Sequence, residues 1–148
     1  HGEKIVLRLL DKSNLSASID KLGLDPDTFQ QMKIAIDAPV VEKWALGYLI
    51  DLIYLRDAWM HRVDTARATG RDLELTADHD GRIVADVVAE WARRHGQPFT
   101  LELTGDAGGL YSAGDDGGDK LTVDAVEFCS ILSGRGEATG LLTTIVPF

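Results

Sequence analysis

The stretch LRDAWMHRVDTARATG, Leu55 to Gly70, constrains this chain more than any other. From Val41 to about Thr69 the pattern predicts one long helix. At about 100° per residue, Tyr48, Leu52, Leu55, Trp59, Val63 and Ala66 fall within one arc. Asp57, His61 and Asp64 fall within about 60° on the opposite side, and Leu46, Ile50 and Ile53 continue that second line toward the start of the helix. A helix apolar on two opposite sides is usually sandwiched between other elements. The acid–histidine–acid line is therefore expected to face a buried or half-buried space. Gly70 suits the position just past the helix end.

Two readings of that line stand side by side. In one, His61 is a buried histidine that hydrogen-bonds Asp57 or Asp64 and helps pack a bundle. In the other, the line is part of a divalent-metal site. A carboxylate and an imidazole four residues apart lie one turn apart on one face, so both can reach one ion. Zinc, nickel or iron(II) suits such nitrogen and oxygen ligands. Asp64 is then a further ligand or a partner orienting the imidazole. One helix does not complete such a site, so another must supply at least one more ligand.

The rest of the chain reads as an α+β protein. The first 23 residues read as mostly helix, and LDPDTFQQMKIAIDAP reads as a turn followed by a short segment. TADHDGRIVADVVAEWARRHG is an amphipathic helix with Ile83, Val84, Val87, Val88, Trp91 and Ala92 on its apolar side. Asp78 or Asp80 is expected to cap it, and Gly96 and Pro98 to stop it. FTLELTG alternates as a half-buried strand. GGLYSAG is a second strand, DDGGD a hairpin turn and KLTV a third strand. DAVEFCSILSGR is a helix capped by Asp124, and GLLTTIVPF a last extended segment. The glycine-rich run TGDAGGLYSAGDDGGD lacks the lysine and the strand–loop–helix order of a phosphate loop, so turns are the better reading. Trp44, Trp59 and Trp91 are expected to be core anchors.

Residues 1–72 are thus expected to form a helical segment and residues 73–148 a small α/β domain. Hydrophobic residues make up 45% of the 148 and charged residues 26%, which suits a soluble globular protein with a core. No apolar run approaches bilayer length, and no leader pattern suggests secretion. The net charge of −9 argues against nucleic acid as a partner. Arg56, Arg62, Arg67 and Arg71 cluster, but Asp57, Asp64 and Asp72 interleave with them. Cys129 is the single cysteine, read as a core residue. A cytoplasmic setting fits.

The wording of two stretches adds a resemblance. GYLIDLIYLRDAWMHRVDTARATG resembles the last bundle helix of the mycothiol-dependent maleylpyruvate isomerase family, within the DinB-like superfamily. HDGRIVADVVAEWARRHGQPFTLELTGDAGG and DAVEFCSILSGR resemble that family's C-terminal domain, which is similar to sterol carrier protein 2. The resemblance covers about Pro39 to Phe148. It implies a partial DinB-like helical bundle followed by a sterol-carrier-like α/β domain. It implies a divalent metal, commonly zinc, held by an acid-x-x-x-His pair that corresponds to Asp57 and His61, with Asp57 where several relatives have glutamate. It implies mycothiol as thiol cofactor, activated by the metal to attack an electrophilic small-molecule substrate. Arg135, in SGR, matches an arginine associated with use of the thiol cofactor. By its residues alone Arg135 reads equally well as a solvated helix-end cation.

The family has two further upstream helices, one bearing a third metal ligand, and this chain begins near the third. Its other histidines are His1, His79 and His95. The expectation is therefore a metal-dependent, mycothiol-type transferase or isomerase that forms a homo-oligomer and binds neither nucleic acid nor membrane. The alternative is a noncatalytic small-molecule-binding or oligomerising module that has lost the metal site.

Overall fold

The computed structural model describes residues 33–36, 42–115 and 117–148. The expected helix within the first 23 residues lies outside them. The architecture is α+β, with three helices and a small mixed three-stranded sheet.

A two-stranded antiparallel pair comes first, β1 (Lys33–Ile36) with β2 (Glu42–Ala45), in which Ile34 stands opposite Trp44. This corrects the expected helix start at Val41. Ile34 and Ile36 alternate with Lys33 and Ala35, a period of two that a β-branched segment uses best as a strand. The helix begins at Leu46, with one α-turn (Leu46–Tyr48) and a π-helical stretch (Leu49–Ile53), and runs unbroken into α1 (Tyr54–Thr69). The wider π turn holds an extra residue and so rotates the upstream side chains relative to α1. Leu49 and Ile53 accordingly join Trp44 in a small buried cluster, and do not continue the acid–histidine line. Gly70 closes α1 in the left-handed region, at φ 63°.

Helix α2 (Asp80–His95) follows a ten-residue connection and stops at Gly96, φ 64°. Neither expected aspartate caps it in the usual way. His79 holds the cap position, and Asp80, the first helical residue, turns its carboxylate back to accept from Thr76 N at 2.7 Å.

The sheet order is β4–β3–β5, with β3 (Phe99–Thr104) in the centre, β4 (Gly109–Ala113) antiparallel to it and β5 (Asp119–Asp124) parallel. Phe99, Leu101 and Leu103 point inward and their neighbours outward, as the alternation requires. The parallel β3–β5 pair corrects the expected hairpin at DDGGD. That segment carries the chain across the start of β3, from one edge of the sheet to the other. Glycine is needed there because a Cβ on Gly114 would lie 2.6 Å from Pro98 Cβ, and one on Gly118 would overlap the Pro98 carbonyl. Helix α3 (Ala125–Leu132) is capped by Asp124, whose Oδ1 accepts from Val126 N at 2.9 Å and Glu127 N at 3.1 Å. The tail turns through a 3-10 segment (Gly140–Thr143) and is not a strand.

One buried cluster joins Trp59, Met60 and Val63 of α1, the apolar side of α2, the inner face of β3 and Phe128, Cys129 and Leu132 of α3. It runs across the expected 72/73 boundary. Inside it, Trp91 meets Phe99 and Phe128 edge-on, at 4.8 and 5.4 Å between centroids. No helix among the described residues is long and apolar enough to cross a membrane.

Two buried carboxylates on α2 fasten α1. Glu90, 2% exposed, accepts from Arg56 Nη1 at 2.6 Å, from Tyr48 Oη and from Arg94 Nε at 2.9 Å. Arg56, 1% exposed, also donates through Nη2 to Asp86 at 2.6 Å and through Nη1 to the Pro147 carbonyl at 3.0 Å. Asp80 accepts from Trp59 Nε1 at 2.8 Å and pairs with Arg62. Burial alone would raise both carboxyls. The hydrogen bonds from Tyr48 and Arg56 to Glu90, and from Thr76, Trp59 and Arg62 to Asp80, outweigh it and hold both below the ordinary range. Tyr48 is pushed up to about 12, by burial and by the Glu90 charge.

Arg56→Ala is expected to destabilise the chain by about 3–5 kcal/mol, because it strips the cation from a buried carboxylate. A urea titration showing a loss under about 1 kcal/mol would contradict the network's role. Depressed carboxyls stabilise fully above their unfolded values and lose that contribution as pH falls through the folded ones. Stability should therefore fall below about pH 4. Denaturant midpoints that stay level between neutral pH and about pH 3 would speak against it.

Candidate functional site

The outward side of α1 is set by what its inward side must do. With Trp59, Met60, Val63 and Arg56 buried, Asp57, His61 and Asp64 are left on a strip beside the core face. The strip was expected to face an enclosed space. Among the described residues it is open instead: the His61 side chain is 67% exposed and that of Asp57 47%. The physical reason is that α2, the sheet and α3 all pack on the one side of α1 that carries Trp59 and Val63. Leu55, expected within the buried arc, is 44% exposed.

The structure brings together Asp57 and His61, whose Oδ1 and Nε2 atoms lie 3.5 Å apart. It also brings Arg135 to Asp64, with Nε 3.3 Å from Oδ2. The second contact is produced by the end of α3. Gly134 at φ 81° donates to Ile131 O at 3.0 Å, and Arg135 N to Ser130 O at 2.9 Å. This paired closure of the last turn fixes where the Arg135 side chain departs. Arg67, one turn past Asp64, donates to Ser130 Oγ at 3.3 Å and pairs with Glu127 at 3.4 Å. The C-terminal half of α1 therefore faces α3 and its cap through three polar contacts.

On the other flank of the strip lies an open groove of about 600 Å³, between α1 and the connection after it. His61, Arg62, Thr65, Thr69 and Arg71 line it, with Asp72 and Glu74 on the far wall. His61 is thus shared between the groove and the Asp57–Asp64 strip.

Asp57 and His61 fit a divalent cation as half of a site. Two bonds of about 2.1 Å at a tetrahedral angle place their donor atoms about 3.4 Å apart, close to the spacing found here. Asp64 is engaged by a cation of the chain itself. No group of three or more histidine, cysteine or acidic side chains that could hold a metal is present among the described residues.

The other titratable groups point elsewhere. Cys129 is fully buried and its thiol is pushed up to about 12, first by burial, so it stays protonated at neutral pH. His95 sits against Trp91 at 4.2 Å, its Nδ1 accepting from Gln97 N at 3.0 Å and its Nε2 buried without a hydrogen bond. Burial pulls its pKa down.

Sequence reading missed the buried polar residues. Arg56 lies four and seven residues before Met60 and Val63, on the same helical line, and that position was the available signal. Asp80 lies seven residues before Val87, in the middle of the apolar arc of α2, and was read only as a cap. For Glu90, at the edge of that arc, periodicity offers no signal.

Native chain should not react with a thiol reagent near neutral pH, and denatured chain should show one reactive thiol. Rapid labelling of the native chain would contradict the burial of Cys129.

No family model matches the chain, and no solved structure matches it. Among curated proteins, a stretch of 38 residues is 55% identical to the type IV pilus assembly ATPase PilB of Myxococcus xanthus (strain DK1622). The match covers 26% of this chain and 7% of the length of that protein.

Proposed function

We propose that this chain carries the cation-holding face of a thiol-dependent transferase or isomerase of the mycothiol-dependent maleylpyruvate isomerase family. The observation that carries the reading is the Asp57–His61 pair, one helical turn apart, exposed, with donor atoms at the edge length of a tetrahedral zinc site. The resemblance of the α1 and α3 sequences to that family supports it independently.

Asp57 and His61 would hold the cation. A divalent cation deprotonates a thiol that coordinates it and so supplies a nucleophile at neutral pH. Mycothiol would bring that thiol, since Cys129 is buried and protonated. Asp64 acts as a positioning residue, holding the Arg135 guanidinium beside the α1 strip. Arg135 keeps free donors for the amide and hydroxyl oxygens of the cofactor. The groove beside His61 offers room for an electrophilic small molecule next to the pair.

A noncatalytic module, binding a small molecule or a second copy, is the second reading. The exposure of the strip and its two unaided donors favour it.

Zinc affinity, measured by competition with a chromophoric chelator, tests the first reading. His61→Ala should lose at least tenfold in affinity, because the site cannot spare its one imidazole. Arg135→Lys should leave zinc affinity unchanged and weaken mycothiol binding by roughly 1–3 kcal/mol. Undiminished zinc binding in the alanine variant would overturn the assignment.

A further inference from the structure

The half-site on α1 raises the question of what fills the other side of a bound cation. Asp57 and His61 are two donors, and a zinc ion ordinarily takes four. Asp64 is drawn off by Arg135, and Asp80 is buried beneath Trp59 and Arg62. No third donor converges on the pair among the described residues. The pair is also unusually accessible to a large partner. Its neighbours on the outward side of α1, Ala58, Thr65 and Ala68, are small and exposed, so another helix can approach closely.

We infer that Asp57 and His61 of two copies of this chain close on one divalent cation, across a twofold axis that brings the two α1 strips face to face. Each copy supplies one carboxylate oxygen and one imidazole nitrogen, which completes a tetrahedral set. The inference rests on the cation-holding part of the reading above and not on the thiol chemistry. A closed set of four protein ligands is how a structural zinc is held, and a thiol then requires one ligand to yield.

The charges make the association conditional. Each chain carries a net charge of −9, so two copies repel at long range. At the proposed contact the two Asp57 carboxylates face each other, and without a cation they add a local repulsion. A bound dication cancels both, since two charges of −1 and one of +2 sum to zero. Two copies should therefore associate when zinc is present and separate when it is removed. A metal bridge of this kind is self-limiting, because a twofold contact uses the same patch on both copies and leaves none free.

The test is a titration of the full chain with zinc chloride, following bound zinc and particle mass by light scattering together. The expected result is saturation at one zinc per two chains, with doubling of the mass at the same point and return to single-chain mass on adding a chelator. His61→Ala and Asp57→Asn should each hold the chain at single mass over the same range. Both changes lie on an exposed strip, so both variants should fold, and far-ultraviolet circular dichroism checks this. Saturation at one zinc per chain with no change in mass would overturn the shared site while leaving the cation reading intact. A doubled mass that neither chelator nor the variants alter would overturn it too, by showing a contact that needs no metal. Absence of zinc binding would bring down both this inference and the cation reading.

Discussion

Helix α1 is held to the rest of the protein by two arginines seated on two buried carboxylates. Arg56 meets Glu90 and Arg62 meets Asp80, so the later residue of α1 pairs with the earlier residue of α2. That crossing fixes α1 antiparallel to α2. It also fixes its rotation, because both pairs must be made at once. A buried charge without its partner costs several kcal/mol, so slippage by one residue would cost more than the apolar face alone could recover. Trp59 ties the two forces together, packing in the core with its ring while its Nε1 donates to Asp80.

The candidate site follows from that rotation. Once Arg56, Met60 and Val63 face inward, Asp57, His61 and Asp64 have only the outer flank left. The C-terminal segment completes the arrangement. Pro147 accepts from Arg56, Val146 donates to Leu132 O at 3.1 Å, and Trp91 Nε1 donates to Leu141 O at 3.0 Å. The tail thus clamps α3 against α1 and α2. The closure of α3 at Gly134 then delivers Arg135 to Asp64. The pair on the surface of α1 and the arginine beside it depend on contacts made from both ends of the described chain.

Elements whose signal is local were legible in the sequence. The alternation of Phe99, Leu101 and Leu103, the Asp124 cap, the glycine stops at 70 and 96 and the apolar arc of α2 each depend on a few neighbouring residues, and each appears where its pattern places it. What depends on distant partners was not legible. Strand order was missed because the glycines at 114 and 118 serve a hairpin and an edge-to-edge crossing equally well, and only contact with Pro98 separates the two. The start of α1 was misjudged because Ile34 and Ile36 need Trp44 opposite them to be read as a strand. Arg56 and Asp80 looked like surface residues within apolar patterns, since neither shows its partner in its own segment. At the site, the juxtaposition of Asp57 with His61 was readable from their spacing. The exposure of the strip was not, because it depends on which elements pack on α1.

The central claim is that the paired charges make α1 part of one cooperative unit with α2 and the sheet. Native-state hydrogen exchange tests it most directly. The account predicts that the amides of Met60 and Val63 exchange with the same free energy as those of Val87 and Val88, at the level of global unfolding. Exchange from α1 at a free energy several kcal/mol lower, with α2 still protected, would show α1 opening by itself and would contradict the account.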